Sequence, residues 1–298
     1  MKQISIKSIL AVIAGSVLVA ACSGSLKIIQ GTPNNLYTTA QNFYLKKDYT
    51  QSIKYFNSIT TQYPVSNYAA NSLVYMAYIN YINSNYLKSL NQTSQYIKLF
   101  GVSGKNLDFI LYTAGLDNTA LNYHWLQYHL GMNPASHGTY LIKNAKEDFT
   151  YLNANFPNNP YKEDAQNRLN YANYLLSLHD AYEIKYYFYK KAYVATINLV
   201  KEMKKTYPTS NETYSMYPYL IASYTAIHLP EKAQEAKNQW NKHSNIKKFI
   251  YKNKPTYFVD LKLPKMSQPT EKYNYYGNLV SNVPSNLDPY VPTKPGSK

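Results

Sequence analysis

Apolar residues recur along the early part of the chain at intervals of three and four. Leu36, Ala40 and Phe43 form one such stripe, and Tyr49, Ile53, Phe56, Ile59 and Tyr63 form a second. Both have helical period, so residues 32–68 predict two short amphipathic helices joined by a turn at Lys46, Lys47 and Asp48. Thr32 is placed to cap the first helix, and Pro33 stands at its first position, where a missing N–H is harmless. Pro64 ends the second helix. The small residues Ala40 and Ser52 sit mid-helix, where the two helices of a hairpin approach each other.

The pattern then repeats. The pair Asn85, Tyr86 reproduces Asp48, Tyr49 37 residues later, with Ser66 as a cap, Leu73 and Ala77 on the first helix and Ser89 on the second. LDFILYTAGL, residues 107–116, opens a third unit, and residues 117–138 break the period with Gly131, Pro134 and Gly138. Ala145, Phe149, Leu152 and Phe156 resume it. Asn159 and Pro160 start a stretch without glycine or proline up to Tyr207, read as a long helix to about Tyr189 that would couple the third and fourth units. Ala192 and Tyr193 take the landmark place again, and Thr209-x-x-Glu212 reads as a capping box for a fifth unit with helices over 214–226 and Pro230–Lys242. A period near 34 residues in helical hairpins is the tetratricopeptide signature. The expected fold is therefore all-α, a tetratricopeptide-like solenoid of about five repeats over residues 32–245.

Both ends depart from this pattern. Lys2 and Lys7 precede an apolar run over residues 8–20, and Val19, Ala20 and Ala21 lead to Cys22. This predicts a secretory signal over 1–21, too short for a permanent span. An ordinary cleaved signal would share these features, but Cys22 is the only cysteine and directly follows the small residues. That resembles a bacterial lipobox, with Val19 where leucine is usual. Cys22 is then expected to carry the lipid (palmitate among its acyl chains), with residues 22–31 as the lipidated linker. Ser23, standing where retained lipoproteins carry aspartate, implies the outer membrane. The tail, residues 246–298, holds seven prolines and is expected to be largely disordered, with KPTYFVDLKL (254–263) the one piece apolar enough to dock.

Composition adds mostly exclusions. The formal net charge is +15, yet 30 of the 31 basic residues are lysine. Arginine is the residue nucleic-acid readers rely on for bidentate contacts. The single arginine, Arg168, lies four residues after Asp164 and reads as a helix pair, so nucleic acid is not expected as a partner. No Gly-rich phosphate loop or GxSxG occurs, and Ser244-x-x-Lys247 is a lone SxxK match, so the chain is not expected to be an enzyme. His124, His129 and His137 invite a metal, but the first two are five apart and do not share a helix face, so no metal or cofactor is expected. Many of the 35 tyrosines are expected to replace Phe and Leu in helix cores with their hydroxyls at the rim.

The order of AQNFYLKKDYTQSIKYFNSITTQYPVSNYAANS, LDFILYTAGL, DAQNRL and EIKYYFYKKAYVATIN followed by TYPTS, behind a lipobox, resembles the BamD family of β-barrel assembly lipoproteins, formerly called competence lipoproteins. The second segment commonly reads DYAYYLRGL there; Asp108, Phe109, Tyr112, Gly115 and Leu116 agree, and Ala114 replaces the arginine. The resemblance runs from Pro33 to about Ser244. It implies a scaffold of the β-barrel assembly machinery, with BamA periplasmic domains, other BAM lipoproteins and unfolded outer-membrane proteins as partners. Helix positions that line the concave face of such repeats fall here on Asn34, Tyr37, Gln41 and Tyr44, and on Asn71, Val74, Tyr78 and Tyr81. These residues are the candidate peptide groove, aromatic and amide-rich, suited to the alternating C-terminal strand of an unfolded barrel. Two further readings stay open: a pilotin-like lipoprotein for pilus or secretin assembly, and a DNA-uptake or cell-wall binder using the basic tail.

Overall fold

A computed structural model describes residues 28–122, 138–242, 255–256, 258–273 and 279–280. Cys22, the signal and the three histidines of residues 124–137 lie outside them. The described helices are α1 (Pro33–Leu45), α2 (Tyr49–Gln62), α3 (Asn67–Ile82), α4 (Tyr86–Phe100), α5 (Leu107–Leu121), α6 (Tyr140–Asn155), α7 (Lys162–Tyr189), α8 (Tyr193–Thr206), α9 (Asn211–Ser215), α10 (Tyr217–Ala226) and α11 (Pro230–Lys242). A two-residue antiparallel strand pair, Lys272–Tyr273 with Leu279–Val280, lies in the tail. The fold is all-α, consecutive helical hairpins of the tetratricopeptide kind. It divides into two compact units, Met1–Ala69 with Pro269–Lys298, and Ala70–Gln268.

Helices begin where the sequence supplies an acceptor for unpaired N–H groups. Thr32 Oγ1 accepts from Asn35 N at 3.4 Å, Asp48 Oδ1 from Gln51 N at 3.1 Å, and Ser66 Oγ from Ala69 N at 3.0 Å. Two expectations are corrected in the last hairpin. The cap is Ser210 rather than Thr209: its Oγ accepts from Thr213 N at 3.2 Å and donates to Glu212 Oε2 at 2.9 Å. The single helix expected over 214–226 is two, because Pro218 lacks an N–H and is tolerated only in a first turn, so α9 stops at Ser215 and α10 starts at Tyr217. Similarly, α5 continues through Asp117 to Leu121, beyond the expected break at 117.

Four hairpins share one turn. Lys47, Ser84, Lys191 and His228 all have φ between 58° and 60°, the left-handed region. In each, the next N–H bonds a carbonyl five residues back: Asp48 to Phe43, Asn85 to Asn80, Ala192 to Tyr187 and Leu229 to Tyr224, at 2.8 to 3.0 Å. This closes the carbonyl end of the first helix as a Schellman motif, without the usual glycine. A second repeated device explains Ser52, which stands where alanine is usual. Its Oγ donates to the Ala40 carbonyl at 2.9 Å, and Ser89 Oγ donates to the Ala77 carbonyl at 3.0 Å. The equivalent serine thus ties the second helix of each of the first two hairpins to the backbone of its first helix.

In the larger unit, α5 is buried on almost every side, as befits a helix apolar all round. Gly115 lets it lie close to α6; a Cβ there would come within 2.6 Å of the Phe149 ring. The 28-residue α7 is about 42 Å long at 1.5 Å per residue, and packs on α6 and α8, so it belongs to the third and fourth hairpins together. Leu175, Leu176, Ile184, Ile197, Val200, Met203 and Leu220 form its apolar contact with α8 and α10.

Candidate peptide-binding site

The groove positions read from sequence do not share one environment. In the first unit Asn34 is exposed and Gln41 and Tyr44 are partly exposed. Tyr37, expected on the open face, is 2% exposed and meets Phe56 and Tyr68 edge-on at 5.7 and 5.6 Å, so it is a packing residue. Phe43, expected in the core, is only partly covered and stacks on Tyr55. In the second unit Tyr78 is partly exposed, while Asn71, Val74 and Tyr81 are buried.

Two of the buried positions hold the chain's own tail. Tyr81 Oη accepts from Val259 N at 3.0 Å, and Asn71 Nδ2 donates to the Ser267 carbonyl at 3.0 Å. Arg168, from the far-off α7, joins them by donating Nη2 to the Thr256 carbonyl at 2.9 Å. Tyr86, the landmark tyrosine opening α4, stacks against Phe258 at 5.9 Å. All three polar contacts address main-chain groups of the segment. Its side chains alternate: Val259, Leu261 and Leu263 turn inward, with Leu261 2% exposed, while Phe258, Asp260 and Lys262 face out. A tight i to i+2 bond from Leu261 N to the Val259 carbonyl bends the segment at Asp260.

The polar groups are set by what lies behind them. The Arg168 side chain is 1% exposed and its Nε bonds Asp164 Oδ2, the i, i+4 pair expected from sequence. Asp164 Oδ2 also accepts from Tyr112 Oη at 2.7 Å, and Tyr112 stacks flat on Tyr161 at 4.3 Å. The guanidinium plane is thereby fixed, and the tail carbonyl serves as an acceptor for a cation that burial would otherwise leave costly. Burial pushes the Tyr81 phenol up to about 12, with the Val259 N–H and Arg168 pulling the other way, so it is neutral at ordinary pH. Nearby Asp117 is 0% exposed, and burial raises it to about 8. Ser89 opposes this, although its hydroxyl donates to the Ala77 carbonyl. Asp148, bonded by Asn118 Nδ2 at 3.1 Å, is raised by burial to about 7. Among the described residues no group of His, Cys, Asp or Glu is placed to hold a metal ion.

In the smaller unit the tail is also held. Glu271 accepts from Asn67 N at 2.9 Å and Asn67 Nδ2 at 2.6 Å, a carboxylate at the N-terminus of α3, and Tyr68 Oη donates to the Pro269 carbonyl at 3.3 Å. No helix among the described residues is long and apolar enough to cross a membrane.

Consecutive helical hairpins of this kind define a helical-repeat protein of the tetratricopeptide class. The family follows from sequence: the YfiO model, described as outer membrane lipoprotein, matches residues 29–239, and the chain belongs to this family. It is similar to outer membrane protein assembly factor BamD of Pasteurella multocida, 33% identical over 215 residues that cover 72% of this chain and 82% of the relative. The BamD of Haemophilus influenzae is 31% identical over 258 residues, 86% of this chain and 97% of that protein. That of Vibrio cholerae is 24% identical over 221 residues, 74% and 91%.

Proposed function

We propose that this protein is an outer-membrane protein assembly factor, held at the periplasmic face of the outer membrane by an acylated Cys22. It acts as a scaffold on which BamA periplasmic domains and other BAM lipoproteins assemble, and it holds unfolded outer-membrane proteins as irregular or extended segments. Family membership across the helical repeats carries the reading. It is supported by helix side chains that bond main-chain groups of a segment without helix or strand. An unfolded barrel strand presents the same unpaired N–H and C=O groups and the same period-two alternation of apolar side chains. Asn34, Gln41, Tyr44 and Tyr78 are further candidates for client contact. Holding a client needs no bond made or broken, so no catalytic residue is assigned.

Depletion of the protein should lower many outer-membrane barrels together, and the full-length chain should co-purify with BamA. Loss of one pilus or secretin with the barrels intact would replace this reading with the pilotin one.

A further inference from the structure

Residues 255–267 have two properties that belong together. Their sequence alternates apolar and polar over VDLKL, residues 259–263, the pattern of a half-buried strand, although the described residues 255–256 and 258–267 are paired in no sheet. Their position is one where Tyr81, Asn71 and Arg168 bond backbone atoms, which any peptide supplies, and where inward-facing Val259 and Leu261 supply the apolar side. Such contacts suit a peptide of alternating apolar side chains more than a particular sequence. The tail meets that description, and so do the transmembrane strands of a barrel.

We infer that the tail is a built-in competitor: residues 255–267 occupy the surface of α3, α4 and α7 that receives client strands, and a client binds by displacing them. This rests on the proposed function, since the client is taken from it. The interaction energies are matched in kind. Each contact that the tail loses on leaving is one a client backbone remakes, so exchange needs little net free energy. A seated tail also raises the apparent Kd of any added peptide by the inverse of the open fraction. It thereby sets a threshold that segments with poor alternation do not pass.

The test uses the full-length chain and a fluorescent synthetic peptide of the last strand of an outer-membrane barrel. The variant Val259→Asp/Leu261→Asp charges two inward positions and should unseat the tail while leaving the helices intact by circular dichroism. Its affinity for the peptide should rise about tenfold if the tail is seated about nine-tenths of the time. Synthetic tail peptide added in trans should reverse the gain. In the unaltered chain, adding barrel peptide should speed tryptic cleavage after Lys262 and Lys265, a readout that does not depend on any variant folding. Equal or weaker peptide binding by the variant, with no change in cleavage, would overturn the competitor while leaving client binding standing. No binding by either form would remove client binding itself, and the competitor with it.

Discussion

The first helices of the first two hairpins, α1 and α3, are written to one template and finish in different surroundings. Each has leucine and alanine at equivalent places, Leu36 with Ala40 and Leu73 with Ala77. Each receives a serine hydroxyl on that alanine's carbonyl and ends in the same left-handed turn. Yet α1 keeps Asn34, Asn35, Thr38 and Asn42 exposed, whereas α3 from Ala69 onward is buried except at Tyr78 and Ile82. The tail on Asn71 and Tyr81 accounts for part of this, and the richer apolar content of α3 for the rest. A repeat position fixes where a side chain starts; what lies over it decides whether water reaches it.

The strongest test of this contrast lies in the core of the first hairpin. Truncating Phe56 to Ala should cost about 3–5 kcal/mol by opening a cavity. Tyr37→Ala should melt nearly as low, because its ring is edge-on to Phe56, while Tyr44→Ala should stay within about 1 kcal/mol of the parent. A Tyr37→Ala protein that melts like the parent would return Tyr37 to an open face and erase the difference from Tyr44.

A smaller effect separates the first hairpin from the larger unit by pH. Asp48 is the only acid in residues 28–69 and it is exposed, whereas Asp117 is buried and raised from 3.8 to about 8. The unfolded chain ionises this group first, so its favourable contribution is complete below about pH 4 and is lost as pH rises towards 8. Melting temperature should fall over that window, and Asp117→Asn should flatten the slope. An unchanged slope would show that Asp117 is ionised in the folded protein and paired there.

The smallest effect should be common to both hairpins. Lys47→Gly and Ser84→Gly each relieve a left-handed residue of its Cβ and should stabilise by about 0.5–1 kcal/mol. Unequal gains would mean that the two turns, alike in backbone, are strained differently.

Much of this fold could be read from short stretches, because caps, stripes and turns are local. Thr32 and Ser66 cap where their types and places predict, Asp48, expected only as a turn residue, caps α2, and the uninterrupted run after Pro160 gives the long α7. Tyr37 was misplaced because an assigned register treats a side chain as a direction; a long aromatic side chain reaches sideways and back along its helix to neighbours outside the narrow stripe. The tail contacts were out of reach for another reason. Tyr81 and Val259 are 178 residues apart, Arg168 and Thr256 88 apart, and in each the tail contributes backbone atoms that every residue has. No side-chain pattern encodes such a bond. Only the apolar content of 254–263 marks that piece as able to dock.

That use of backbone atoms has a consequence for how the tail can evolve. The contacts at Thr256 and Ser267 use carbonyls, which proline keeps, and the one N–H required is that of Val259. Pro255 and Pro264 flank these points without removing anything the helices need. A segment too rich in proline to join a sheet can therefore still be held, and its outward-facing residues are free to drift across generations, whereas inward Val259 and Leu261 must stay apolar. Position 259 is constrained twice, since a proline there would also delete the donor that Tyr81 accepts.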